Sequence, residues 1–364
     1  MTSDPIGPRA LHSPVVVIGA GPAGCAAGVS LVRNGIAPLL IEKGSRGRDK
    51  ACGDAWIPEA TRELEWMKVD GRRLASNGCA FSRIDGYHEK RRVWSTDYSP
   101  CEGVVARRAL VDEWLQDRAE NEGCLIWRGA RATRLSALGH RIELTVRCGA
   151  DAHTLAPSAV ILASGSGCRI AREAGLDGKP VFGASISSYL STRGGLPAPG
   201  FLFDQPSPGY AWIFPDGART SNVGVCALAP SAASGLRSRM KALLQEFGAD
   251  SSVSLRGGLE AMWSGNGSDW CHGAGVVSCG DAAGLVDPTC GEGLTGALLS
   301  GKRAGAAIAS FLTGQFGALT EYSRWVHDWG QNRYSASREN RILAGWVGHA
   351  AAERRLLSLL ASWT

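Results

Sequence analysis

The chain has 364 residues, 44% of them hydrophobic, with 39 Lys and Arg against 34 Asp and Glu and a net charge of +5. This is enough apolar material for a large core in two lobes, and the scattered basic residues exclude a nucleic-acid footprint. Eleven cysteines, an odd number without a Cys-x-x-Cys, exclude a zinc site and a secreted disulfide framework; they read as small buried residues in a reducing compartment, and no metal is expected.

In chain order, Leu11 to Val32 carries no formal charge, but Pro14, Pro22 and its glycines argue against a membrane span. No basic region followed by an apolar core opens the chain, so a cytoplasmic protein is expected. Val15-Val16-Val17-Ile18 reads as a strand covered on both faces. In Gly19-Ala20-Gly21-Pro22-Ala23-Gly24, Gly19 permits a tight turn, Gly21 lets the backbone approach a phosphate, and Gly24 lets a helix pack close to the strand. Pro22 suits a first helical turn, and Asn34-Gly35 suits the helix end. A second strand, Leu39-Leu40-Ile41, ends at Glu42, where a carboxylate binds a ribose hydroxyl in dinucleotide folds.

Residues 104–120 read as strand then helix, and 124–163 as short strands, with Ile142, Leu144 and Val146 alternating with polar residues. Ala159-Val160-Ile161-Leu162-Ala163 is a buried strand ending on Ser164-Gly165-Ser166-Gly167. Residues 181–229 read as β structure with turns at Pro206-Ser207-Pro208-Gly209 and Pro215-Asp216-Gly217; Ser234 to Phe247 has helical apolar spacing. Gly275-Val276-Val277-Ser278 is a strand that delivers a second glycine turn, Gly280-Asp281-Ala282-Ala283-Gly284. A helix follows from Glu292 to about Leu312, then a mostly helical tail from Leu319 with an apolar cluster at Leu356, Leu357, Leu359 and Leu360. Two glycine turns some 260 residues apart suggest one dinucleotide held at both ends. A nicotinamide dehydrogenase needs only the first, so the pair argues for FAD.

The glycine turn with Glu42, the strand ending near Ser164-Gly165 and the late Gly-Asp turn resemble the FAD fold of p-hydroxybenzoate hydroxylase relatives. Within that group the chain most resembles the geranylgeranyl reductase family. Lys50-Ala51-Cys52-Gly53-Asp54, Gly209 to Pro215, Asn222-Val223-Gly224-Val225 and Gly280 to Gly301 carry the likeness. It implies an α/β architecture: a Rossmann-like FAD-binding domain (13–54, 101–180 and 271–318), an inserted antiparallel β-sheet substrate domain (55–100 and 181–270) and a helical C-terminal segment (319–364).

The resemblance also implies roles. Gly19, Gly21, Pro22, Ala23 and Gly24 would hold the pyrophosphate, Glu42 the adenosine ribose, and Arg108 the phosphates or ribityl chain, with Arg107 as its competitor; Lys43 would also bind the cofactor. Gly53, Gly165, Gly280, Asp281 and Gly284 would complete the cofactor site, Asp281 bonding a ribityl hydroxyl. Gly291, Gly293 and Leu294, at a helix N-terminus, would stabilise negative charge on reduced flavin. Cys52 would lie beside the flavin ring, with Cys290 nearby. Tyr210, Trp212 and Phe214 alternate along a strand and would face the substrate together; Cys52, Tyr210 and Trp212 are the candidate catalytic residues.

The expected function is FAD-dependent reduction of carbon–carbon double bonds in a lipophilic, isoprenoid-like small molecule. NAD(P)H, another reductant or an electron-donor protein would supply the electrons. No nucleic-acid partner and no transmembrane segment are expected, and peripheral membrane contact is compatible with such a substrate. Two alternatives stay open: a flavin monooxygenase or halogenase, which resembles the chain at Trp212-x-Phe-Pro, and a prenyl-binding escort protein. The chain departs from the family at Ser164, where an aspartate is usual, at Asp54, where a glycine is usual, and at Val111 in place of phenylalanine.

Overall fold

A computed structural model describes residues 13–47, 49–138, 141–191, 198–203, 209–217, 219–228, 230–249, 253–267 and 269–346. Val15–Ile18, fully buried, lies inside a six-stranded sheet. The strand order is Cys271–His272, Val276–Ser278, Ala159–Leu162, Val15–Ile18, Leu39–Glu42 and Leu125–Arg128. Only the Cys271–His272 edge runs antiparallel to its neighbour, so the β-branched runs are covered on both sides as a parallel sheet requires.

One side carries the helix Pro22–Arg33, which Pro22 opens and Asn34 ends. Against it packs the late helix Leu294–Leu312. Glycine makes this approach close: a Cβ on Gly301 would lie 2.1 Å from the Ala23 carbonyl oxygen, and one on Gly305 2.5 Å from that of Ala27. The contact carries the late glycine turn onto the early one, since a Cβ on Gly280 would meet that of Ala23 at 2.9 Å. The other side is covered by Ala130–Leu138, Arg141–Cys148 and Asp151–Leu155, an antiparallel sheet that buries Ile142, Leu144 and Val146.

The second large sheet has seven strands, in the order Arg256–Met262, Val181–Ser191, Thr220–Ala227, Gly209–Pro215, Gly200–Leu202, Arg83–His88 and Arg91–Asp97. Gly200–Leu202 and Arg83–His88 pair in parallel and the others antiparallel. The period of two separates its faces. Ala211, Ile213, Val223 and Val225 pack on the helix Leu236–Glu246 through Leu236, Met240, Leu243 and Leu244. Tyr210, Trp212 and Phe214 point the opposite way, toward the dinucleotide sheet.

Two helices that the sequence reading did not include, Pro58–Trp66 and Gly71–Ser76, join the helical side of the dinucleotide sheet. Trp56, Leu64, Met67 and Leu74 pack with the glycine-turn helices in one core cluster. The C-terminal helix Gly317–Trp346 buries Tyr322, Val326 and Tyr334 against the same cluster. The Leu356–Leu360 cluster and the Pro206-Ser207-Pro208 turn fall outside the described residues.

Candidate active site

A continuous cavity of about 810 Å³ runs between the two sheets, within the range of cofactor and substrate sites. It opens with Glu42 and Lys43, passes the first glycine turn and ends in an aromatic chamber under the seven-stranded sheet.

At the first end, Gly19 has φ +110° and leaves no room for a side chain: a Cβ would lie 2.3 Å from the Ala163 carbonyl oxygen. Gly21 has nothing within 4 Å of such a Cβ, so the backbone there is open to an approaching group. Glu42 Oε2 accepts from the Ala20 amide at 2.9 Å and Oε1 from the Gly44 amide at 2.7 Å, which fixes the carboxylate beside the turn. Farther along, Asp281 accepts from Lys50 Nζ at 3.2 Å and from Ser166 Oγ at 3.0 Å. Burial alone would push the Asp281 carboxyl up; the Lys50 charge and these hydrogen bonds outweigh it and hold Asp281 below the usual range. Gly293 precedes the helix Leu294–Leu312 and forms the cavity wall with Gly291.

The Lys50–Asp54 segment crosses the middle of the cavity. Asp54, 1% exposed, sits in the left-handed region at φ 61°, a backbone conformation that favours glycine. Its side chain is fully engaged: Oδ1 accepts from the Arg108 amide at 3.1 Å, and Oδ2 from Tyr189 OH at 2.5 Å and from Asn222 Nδ2 at 2.7 Å. Burial pushes Asp54 up to about 6 against these bonds, which favour the anion. Asn222 Nδ2 also donates to the Cys52 carbonyl at 2.7 Å, and its Oδ1 accepts from Trp212 Nε1 at 2.8 Å. Arg108 is clamped by both oxygens of Asp112, at 2.8 and 2.9 Å, and its Nη1 lies 3.9 Å from Cys52 Sγ. Burial pushes the Cys52 thiol up, with the Arg108 charge opposing it. Arg107, by contrast, is half exposed, bonds Asp216 at 2.9 Å and stacks on Tyr189.

Strand register assembles the chamber. Tyr210 pairs with Cys226, Cys226 with Ser185, and Ser185 with Gly258, so one row crosses four strands. The next row runs Trp212, Gly224, Ser187 and Arg256. The Trp212 indole lies over Gly224, where a Cβ would meet it at 2.2 Å. Phe201 packs edge-on against both Tyr210 and Phe214, with centroids 5.0 and 5.3 Å apart. Tyr210 OH donates to the Cys290 carbonyl at 2.5 Å, tying the sheet to the loop before the late helix. Glu260, diagonal to Ser185 on the edge strand, bonds the Ser185 hydroxyl; burial pushes its carboxyl up to about 7, with the charge of Asp281 adding and that of Lys50 opposing.

Of the residues singled out from sequence, Cys52, Tyr210, Trp212, Gly19, Gly21, Pro22, Ala23, Glu42, Lys43, Gly53, Arg108, Gly165, Asp281, Gly291, Gly293 and Leu294 all border this one cavity. Gly24, Gly280 and Gly284 do not border it: Gly24 packs on the Gly19 carbonyl, Gly280 on Ala23, and Gly284 beside Asp177 and Pro180. Sequence reasoning did not single out Tyr189, Glu260 or Arg333, all joined to the site only by tertiary structure. Arg333 brings the C-terminal helix to the chamber, 3.9 Å from Glu292. The Asn222-Val223-Gly224 block stands out in the sequence, but no local pattern marks the three groups that Asn222 joins.

A dinucleotide fits this cavity. The open backbone at Gly21 precedes a helix N-terminus, and the buried Ser164 hydroxyl in the wall has no partner within the protein. Among the described residues no group of three or more His, Cys, Asp or Glu is placed to hold a metal ion, and no helix is long and apolar enough to cross a membrane.

Comparison with known proteins agrees with this geometry. Residues 12–248 match the family model described as FAD binding domain. The chain is 30% identical over 333 residues to menaquinone reductase of Mycobacterium tuberculosis, covering 81% of this chain and 76% of that one. It is 28% identical over 322 residues to digeranylgeranylglycerophospholipid reductase 3 of Methanosphaera stadtmanae, covering 81% and 77%. Among solved structures, the geranylgeranyl bacteriochlorophyll reductase-like protein of Thermoplasma acidophilum superposes with a TM-score of 0.78 at 20% identity, covering 95% and 88%. With the first glycine turn and Asp281 on one cavity, its family match and these relatives, the chain belongs to the FAD-binding-domain family, as an FAD-dependent oxidoreductase of the geranylgeranyl reductase group.

Proposed function

We propose that the protein reduces carbon–carbon double bonds of a lipophilic, isoprenoid-like molecule. One observation carries this reading: the cofactor cavity continues, without a wall, into a chamber of Phe201, Tyr210, Trp212 and Phe214. Such a face suits an apolar unsaturated chain, and the two relatives compared are named as reductases of a menaquinone and of a digeranylgeranyl lipid.

FAD held in this cavity would supply hydride chemistry when reduced; the protein's own residues bind, orient and hold protons. In this reading the Gly19–Ala23 turn takes the pyrophosphate, Glu42 and Lys43 the adenosine end, and Asp281 the ribityl chain. The Asp54–Asn222 pair keeps Cys52 and Trp212 in fixed relation, so the chamber is rigid where the substrate and cofactor meet. The amides before Leu294 direct a helix N-terminus at the same place.

The test is anaerobic reduction of the FAD-loaded protein, then addition of menaquinone or digeranylgeranylglycerophospholipid in detergent. Product carrying two more hydrogens per reduced double bond is expected by mass spectrometry. Oxygen-dependent hydroxylation or halogenation of an aromatic compound, with both alkenes untouched, would move the protein to the oxygenase reading. A protein that binds prenyl chains but takes up no FAD would move it to the escort reading.

A further inference from the structure

Among the described residues seven acidic side chains border the cavity, and two of them, Glu260 and Glu292, keep a buried oxygen without a hydrogen bond. Glu42 accepts from two amides. Asp54 accepts from three groups, and Asp112 is held by Arg108. Asp281 is paired with Lys50 and Ser166, and Asp287 takes the amides of Thr289 and Cys290. Glu292 takes the Thr295 amide and faces Arg333. Among these described residues Glu260 alone leaves a buried oxygen, Oε2, with neither a hydrogen-bond nor an ion-pair partner.

A buried carboxylate with an unsatisfied oxygen is costly; a protonated one is much less so, and its hydroxyl is then a donor free to act. The surroundings of Glu260 fit that state. Burial is the largest influence and the like charge of Asp281 adds to it; the Ser185 hydroxyl on the other oxygen and Lys50, already bonded to Asp281, favour the anion but do not outweigh burial. Tyr210 and Cys226 on the neighbouring strands share its electrostatic field and carry no charge of their own to offset it. The sheet register sets Glu260 one diagonal step beyond the Tyr210–Cys226–Ser185 row, so it lies between the cofactor-end acid Asp281 and the aromatic floor.

We propose that Glu260 is the proton-holding residue of the chamber, carrying a proton at Oε2 and giving it to the unsaturated substrate. The inference rests on the reduction reading above. In the step, the O–H bond at Oε2 breaks and a C–H bond forms at one carbon of the double bond. The hydride for the other carbon comes from the reduced cofactor, and the carboxylate left behind regains its proton from water. Glu260 is thus neither oxidised nor reduced.

The test uses FAD-loaded protein with isotope-labelled glutamate, wild type and the variants Glu260→Gln and Glu260→Asp, each checked for FAD content and melting temperature. Infrared difference spectra across pH should show one labelled protonated-carboxyl band that titrates near neutrality in wild type and vanishes in Glu260→Gln. Single-turnover reduction of menaquinone should slow about 100-fold or more in Glu260→Gln, the usual worth of a positioned general acid. Glu260→Asp should recover part of the rate, and the wild-type fall in rate with rising pH should flatten in Glu260→Gln. A labelled band that is absent in wild type or survives in Glu260→Gln overturns the proposal. So does a Glu260→Gln rate and pH profile equal to wild type. A wild-type protein that reduces no alkene removes the reduction reading and the proton delivery with it, while the infrared band, which needs no substrate, still decides whether Glu260 holds the proton.

Discussion

Asn222 lies 2.7 Å from Asp54, and that contact joins the seven-stranded sheet to the Lys50–Asp54 segment. The same amide nitrogen reaches the Cys52 carbonyl, while the amide oxygen receives Trp212 Nε1. One side chain therefore sets the distance between the aromatic wall and the loop facing it. Asp54 fits its left-handed backbone because three donors hold its carboxylate there.

Asn222→Ala should be destabilising and should damage the chamber. It strips a partner from Trp212 Nε1, from Asp54 and from the Cys52 carbonyl, all buried or nearly so; one unsatisfied group costs about 1–3 kcal/mol. Urea denaturation should show a loss of about 2–4 kcal/mol, allowing partial relaxation. FAD-saturated variant should retain its flavin but turn over more slowly. Stability within error of wild type would mean that the three groups find other partners.

Gly224→Ala tests the Trp212 position from beneath. The new methyl would stand 2.2 Å from the indole and 2.6 Å from the Ile186 carbonyl, so the ring must move. Overpacking of this kind costs about 1–3 kcal/mol. FAD affinity should stay at the wild-type value because the glycine turns belong to the other sheet, while kcat with the alkene substrate falls. Loss of FAD together with activity would show that the chamber and the cofactor site are not separable in this way.

Glu42→Ala should weaken FAD binding rather than chemistry. A charge-assisted hydrogen bond to a ribose hydroxyl contributes roughly 1.5–3 kcal/mol, about 10- to 150-fold in Kd. The same substitution also frees the Ala20 and Gly44 amides, so the melting temperature of the flavin-free variant is measured alongside. Flavin fluorescence titration gives the Kd, and turnover at saturating FAD gives the chemistry. An unchanged Kd would remove Glu42 from the cofactor site.

The bond between protein and FAD should be noncovalent. No histidine borders the cavity among the described residues, and burial raises the Cys52 and Cys290 thiols toward the unreactive neutral form. Acid or heat denaturation should release all flavin into the supernatant; yellow colour that stays with the precipitated chain contradicts this.

Glu260 also predicts a pH dependence of stability. Its folded value is about 7 against an ordinary 4.5, so the native state binds the proton more tightly than the unfolded chain. The stabilisation is full below about pH 4.5 and is lost as pH rises through 7, amounting to about 3 kcal/mol. Glu260→Gln, which does not titrate, should therefore gain on wild type by about that amount between pH 4 and pH 8. Parallel stability curves for flavin-free wild type and variant would show that Glu260 does not hold its proton through this window.

Much of this protein is written locally. The β-branched runs, the first glycine turn, its proline-opened helix and the alternation of Tyr210, Trp212 and Phe214 are short-range patterns, because burial periodicity and backbone freedom depend on neighbouring residues. Both glycine turns are also legible in the sequence, but that the second one packs Gly280 on Ala23 and turns only Asp281 to the cavity is decided by the fold. What the sequence could not hold is the choice of polar partners. Asp54 meets Asn222 across 168 positions and Lys50 meets Asp281 across 231, and both contacts exist only once strand order and register are set. The helices Pro58–Trp66 and Gly71–Ser76 are short and bury few hydrophobic side chains, Ala60 and Leu64 in the first and Leu74 in the second, so each offers little apolar repeat to read. The same holds for Glu260: a glutamate on an edge strand reads as solvated, and only the fold shows that its surroundings bury it and leave one oxygen without a partner.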